Sequence, residues 1–164
     1  MSQLKVNSII PTAGVPSGGA GGVVQTIFQS TTSQVTNTSG SDADTGVTAT
    51  ITPKVSTSKI LIIANLQWEL FRESTEIGGS FRLLRDSTVI SQHDGCVHQE
   101  AGATGQSRVV SEGGYTIQVF DTPGDTNAHT YKVQFHTDVT NNNAHMRVSR
   151  NNAPSCITLQ EVSA

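Results

Sequence analysis

The stretch Lys59–Phe71 constrains the fold of this chain more than any other part of it. Ile60, Ile62, Ala64, Leu66, Trp68 and Leu70 recur with a period of two, and Leu61, Ile63, Asn65, Gln67 and Glu69 fill the alternate positions. Successive side chains on a strand point to opposite faces. The first set therefore reads as core, and the second set begins apolar and turns polar. A helix of this length is disfavoured by the β-branched residues.

The same period recurs along the chain. Val23–Gln29 reads as a first strand. Val47, Ala49 and Ile51 alternate with threonines until Pro53 ends that run. Ser80–Arg85 and Thr88–Gln92 flank Asp86-Ser87 as a hairpin. Val109–Phe120 places Tyr115, Ile117 and Val119 on one face. Asp121-Thr122-Pro123-Gly124-Asp125 is a turn, because Pro presets φ and Gly accepts positive φ. Thr130–His136 alternates Tyr131, Val133 and Phe135 with polar residues, Asn141-Asn142-Asn143 is a turn, and His145–Ser149 is a short strand. Ser155–Val162 is the last strand and is expected to be central in its sheet, with Ile157, Leu159 and Glu161 on one face. Gln34–Asp44 and residues 93–108 read as loops. Roughly eight to ten strands and no helix imply an antiparallel, jelly-roll-like β-sandwich over residues 23–164.

Composition narrows the function. Charged residues make up 14% of the 164 residues and the net charge is −3, against about 25% charged in a typical soluble domain. The six arginines at 72, 82, 85, 108, 147 and 150 are scattered, which argues against nucleic acid. Hydrophobic residues are 35% and aromatics 5%, so the core is modest and burial between subunits would add stability, which points to a homo-oligomer. No apolar run approaches the about 20 residues of a membrane span, and Met1-Ser2-Gln3-Leu4-Lys5 lacks the pattern of a secretory leader. Synthesis in the cytosol with Cys96 and Cys156 as free thiols is expected, although two cysteines allow one disulfide.

Residues 1–22 differ from the rest. An apolar peptide, Leu4 to Val15, precedes Ser17-Gly18-Gly19-Ala20-Gly21-Gly22, a hinge of residues without stiffening side chains. Pro11 and Pro16 oppose a continuous helix. Val6, Ile9, Ile10, Pro11 and Val15 would be left in water unless they dock. This extended arm is read as an anchor onto a partner, the alternative being packing on its own domain.

Few residues suggest chemistry. His93, Cys96 and His98 have donor types suited to zinc, but their spacing matches no standard closed site. Glu69, Glu73, Glu76, Asp94 and Glu100 could supply the paired carboxylates of glycoside hydrolysis, yet none lies in a distinctive motif. Trp68 reads as core rather than as a sugar platform. Asp42, Asp44, Asp121 and Asp125 could offer oxygens to calcium but lack a loop motif. The polar segments 37–45, 93–108 and 137–145 could hydrogen-bond a surface glycan or simply be solvated turns. No catalysis, cofactor or metal is expected.

Leu4 to Pro16, together with the glycine run and Val23-Val24-Gln25, resembles the opening of virion structural proteins of marine bacteriophages of the cyanophage type. Ile51-Thr52-Pro53 with Ser58 to Ile62, the hairpin Asp121 to Val133, and the last strand Ile157 to Val162 are similar to strands of the same proteins. The resemblance implies a tail-fibre-type protein of the virion, assembled in the host cytoplasm. It also implies a trimeric jelly roll of the C1q or tumour-necrosis-factor kind, with the arm joined to other virion proteins. A capsid decoration or capsid fibre protein, or a host-glycan-binding module, is the alternative.

Overall fold

The computed structural model describes residues 22–100 and 108–164. The strands are β1 (Val23–Thr31), β2 (Val35–Asn37), β3 (Ala43–Ile51), β4 (Lys59–Arg72), β5 (Glu76–Arg85), β6 (Thr88–Glu100), β7 (Val109–Asp121), β8 (His129–Thr137), β9 (His145–Val148) and β10 (Ser155–Val162). Among the described residues the only helical element is a single 3-10 turn, Arg150–Asn152.

Two antiparallel sheets stack as a sandwich, as the alternating pattern implied. Sheet A runs β1-β10-β4 with β7 on the far side of β4, and sheet B runs β3-β8-β5-β6. The pairs β1–β10, β3–β8, β4–β7 and β5–β6 are nested one inside the next along the chain. This is the connectivity of a jelly roll: one long hairpin, with β5–β6 at its tip, rolled so that successive pairs fall in opposite sheets. Strand β4 is long enough to change partners on one side. Lys59–Asn65 pair with β10, Trp68–Phe71 pair with β9, and β9 carries the three-residue β2 beyond it.

The core lies between the sheets. Ile60, Ile62, Leu66, Leu70, Ile117, Ile157 and Leu159 of sheet A meet Phe81, Leu83, Tyr131, Val133 and Phe135 of sheet B, all 0–1% exposed. At about 25 cal/mol per Å² of apolar surface removed from water, this contact supplies most of the stabilisation. Two polar groups on this face are satisfied. Tyr131 donates its hydroxyl to Asp121 Oδ2 at 2.7 Å. Glu161, fully buried, accepts bonds from the Lys54 and Val55 amides at 2.8 and 3.1 Å and from Gln25 Nε2 at 2.7 Å. Burial pushes the Glu161 carboxyl upward, but these donors outweigh it and hold the group below its ordinary value.

Three expectations need correction. Residues 93–100 are strand, not loop: β6 continues to Glu100. It is an edge strand with both flanks partly in water, so it lacks an apolar period, and Gly95 at φ 56 breaks the alternation. The remainder of that expected loop, 101–107, lies outside the described residues. The polar stretch 34–44 contains β2 and the start of β3. Asn37 is buried there, with its amide donating to the carbonyls of Ser41 and Phe135 at 2.9 and 2.8 Å. Strand β5 also begins earlier than its apolar residues suggest. A Cβ on Gly79 would lie 2.5 Å from the Met146 sulfur, so the glycine is required by the packing of sheet A on sheet B.

Candidate interaction surface

The outward face of sheet A is built by register. In one row Thr26, Gln160, Leu61 and Phe120 lie side by side; in the next, Phe28, Thr158, Ile63 and Gln118; in the third, Ser30, Cys156, Asn65 and Thr116. None of these twelve residues carries a charge. Phe28 and Phe120 are 60% and 59% exposed, and Leu61 and Ile63 between them are half-buried only by their neighbours. Polar groups within the tract bond one another: Thr116 Oγ1 donates to Asn65 Oδ1 at 2.8 Å. Four strands about 4.8 Å apart and three outward residues per strand give a footprint on the order of 400 Å². Five of the twelve residues are apolar, Phe28, Leu61, Ile63, Phe120 and Cys156, set among seven uncharged polar ones, so the tract is free of charge and apolar only in part.

The same face changes character toward the far end of β4. Glu69 points outward yet is 1% exposed, because Arg147 bonds it at 2.9 Å and Arg150 closes over it while also pairing with Glu112. A shallow pocket of about 80 Å³ lies beside this clamp, lined by Trp68, Glu69, Glu112, Gly113, Arg150 and Asn151. Trp68 is partly buried and packs against the core. Its indole packs where Gly113 leaves room, since a Cβ there would lie 2.9 Å from the ring.

The structure disperses the other candidate residues. His93 bonds Ser91 and the Tyr115 hydroxyl at 2.8 and 3.0 Å, while Cys96 bonds the Gly79 carbonyl and His98 bonds Glu76. The three do not converge on one point. Both cysteines are free, and burial raises the Cys96 thiol above its ordinary value. The four aspartates are each engaged elsewhere: Asp42 with Arg82 and His136, Asp44 with Lys132, Asp121 with Arg85, Asp125 with His129. Among the described residues one group, Glu76, His98 and Glu100, brings three ligand atoms within 4.8 Å of one another. All three are exposed, and exposed side chains gather in this way without an ion. Asn142 and Asn143 adopt left-handed backbone at φ 54 and 57, which fits their reading as a turn. Val6, Ile9, Ile10, Pro11 and Val15 lie outside the described residues.

Sequence reasoning located Leu61 and Ile63 as an apolar second face of β4 but missed their neighbours. The signal was the register: Phe28 and Phe120 fall on the same side only once β1, β10, β4 and β7 are placed in order.

No family model matches the chain, and no curated protein matches it. Among solved structures it is similar to capsid structures of infectious bursal disease virus. For the Gx strain the TM-score is 0.34 at 14% identity, covering 98% of this chain and 42% of that one. For the T=1 particles derived from the virus it is 0.32 at 12% identity, covering 98% and 41%. For the VP2 subviral particle it is 0.34 at 12% identity, covering 98% and 42%. The chain spans about two fifths of the length of these proteins. Scores this low extend neither to function nor to assembly.

Proposed function

We propose that this chain is a non-enzymatic structural protein of a virion, whose jelly roll self-associates through the outward face of sheet A and whose amino-terminal arm joins it to the particle. The observation that carries the reading is the uncharged tract of twelve residues centred on Leu61 and Ile63 with Phe28 and Phe120 exposed on it. With no charge on this tract, a second copy can be laid against it without desolvating an ionised group. A second copy is therefore the partner it fits.

The resemblance of Leu4 to Pro16 to marine bacteriophage openings supports the virion setting and the anchor, with Val6, Ile9, Ile10, Pro11 and Val15 as its docking residues. It favours a trimeric tail fibre or short appendage over a capsid decoration protein. Linked copies hold a particle far better than one, because the second and third contacts form at high effective concentration.

Deleting residues 1–16 tests the anchor. The expected product is a folded oligomer that no longer joins particles. Incorporation at the wild-type level rejects the anchor role.

A further inference from the structure

The free edge of β7 differs from every other edge of the sandwich. Among the described residues β7 pairs only with β4, in unbroken register from Val109 opposite Arg72 to Asp121 opposite Ile60. Edges are normally blunted by bulges, charge or shortness. The β3 edge is bulged between Asp44 and Thr48. The β6 edge has two register shifts against β5. Strand β1 is shifted between Val23 and Gln25 and is tied down at both ends, by Gln25 to Thr52 and by Ser149 to the Thr31 carbonyl. Strand β2 has three residues. Strand β7 has 13 residues, no proline, no lysine and no bulge, and its two charges, Glu112 and Asp121, are paired with Arg150 and Arg85 of the same molecule.

We infer that the β7 edge pairs antiparallel with the β7 edge of a second copy, so that sheet A runs continuously from one molecule into the next. This rests on the self-association proposed above and names a second surface for it, a two-fold contact that joins a chain of one trimer to a chain of another. The sequence of β7 decides the partner. Laid antiparallel on itself over its full length, with Tyr115 at the two-fold axis, β7 sets Val110 across from Phe120, Glu112 across from Gln118, and Gly113-Gly114 across from Ile117 and Thr116. No two like charges face each other, and Val110 and Phe120, 42% and 59% exposed, cover one another twice. Such cross-strand pairs are what stabilise a sheet, and the main-chain hydrogen bonds of an added strand supply the rest. The outward tract of sheet A, on the order of 400 Å², is about half of what one partner buries in a standard interface. A second contact answers that deficit.

The test is a charge-swap cycle read by sedimentation. Val110→Glu and Phe120→Lys are each expected to weaken association at least tenfold. The double variant, which sets Glu opposite Lys in this register, is expected to associate about tenfold more tightly than Phe120→Lys alone, the remaining loss being that of Phe120 from the outward tract. A silent Val110→Glu, or a double variant no tighter than Phe120→Lys alone, overturns the edge pairing. Phe28→Glu separates this from the outward face, since Phe28 lies on β1, three strands away. Loss of assembly with Phe28→Glu alongside a silent Val110→Glu leaves the face standing and removes the edge. Restoration that disappears when residues 1–16 are deleted assigns the edge to the arm and also overturns the proposal.

Discussion

The outward faces of the two sheets share a backbone plan and differ in chemistry. On sheet B, Asp42 bonds Arg82 and His136 at 2.8 and 2.9 Å, Asp44 bonds Lys132 and Gln134 at 3.0 and 2.6 Å, and Arg82 Nε donates to Gln134 at 2.9 Å. Each of these charges has a partner within the same molecule. On sheet A the equivalent rows hold no charge and leave two phenylalanines in water. A face whose groups satisfy one another belongs to the monomer. The uncovered apolar area on sheet A is what the proposed assembly would bury.

The largest expected effect separates these two roles. Phe28→Glu combined with Phe120→Glu should weaken self-association by more than a hundredfold, about 3 kcal/mol. Because both positions are exposed, the fold should keep its stability to within about 0.5 kcal/mol, as urea unfolding of dilute protein would show. Asp42→Ala should do the reverse. Removing the acceptor shared by Arg82 and His136 should cost the fold about 1.5 kcal/mol and leave the association constant unchanged.

A smaller effect is expected at the seam between the sheets. Tyr131→Phe removes the hydroxyl that donates to Asp121 but leaves Arg85 bonded to that carboxylate at 2.6 Å. The loss should be about 1 kcal/mol. The smallest is a pH dependence. His129 is held above its ordinary value near 6.5 by its bond to Asp86, with burial opposing and Asp125 adding to it. Asp86 and Asp125 are held below their ordinary values, chiefly by the His129 ring and the Thr130 amide for Asp86, and by the Asn127 amide and the His129 ring for Asp125. The stabilisation from His129 is full below about pH 6.5 and fades as the pH rises through its raised value. The aspartate contributions are full above about pH 4 and fade as the pH falls. Stability should therefore peak between these limits, and His129→Gln should flatten the alkaline side of the curve.

Much of the fold was legible because burial in a sandwich imposes a period of two. Lys59–Phe71 and Thr130–His136 each have one fully apolar face, and both are strands with those faces buried. The last strand was expected to be central and lies between β1 and β4. Legibility failed where burial is achieved by hydrogen bonds rather than apolar surface. Asn37 and the start of β3 are ordered through side-chain bonds to backbone, which leave no hydrophobic pattern. It also failed along β6, where an edge exposes both sides. The proposed contact surface was half visible, in Leu61 and Ile63. Its other half depends on which strands are neighbours, a property of topology that one strand's sequence does not carry.

The central claim is that sheet A's outward face is covered by another copy. Sedimentation equilibrium of the full chain at micromolar concentration tests it most directly. The expected mass is an integral multiple of 17.3 kDa, falling to that of a single chain in the Phe28→Glu, Phe120→Glu variant. A wild-type protein that remains at 17.3 kDa up to the highest concentration reached would contradict it.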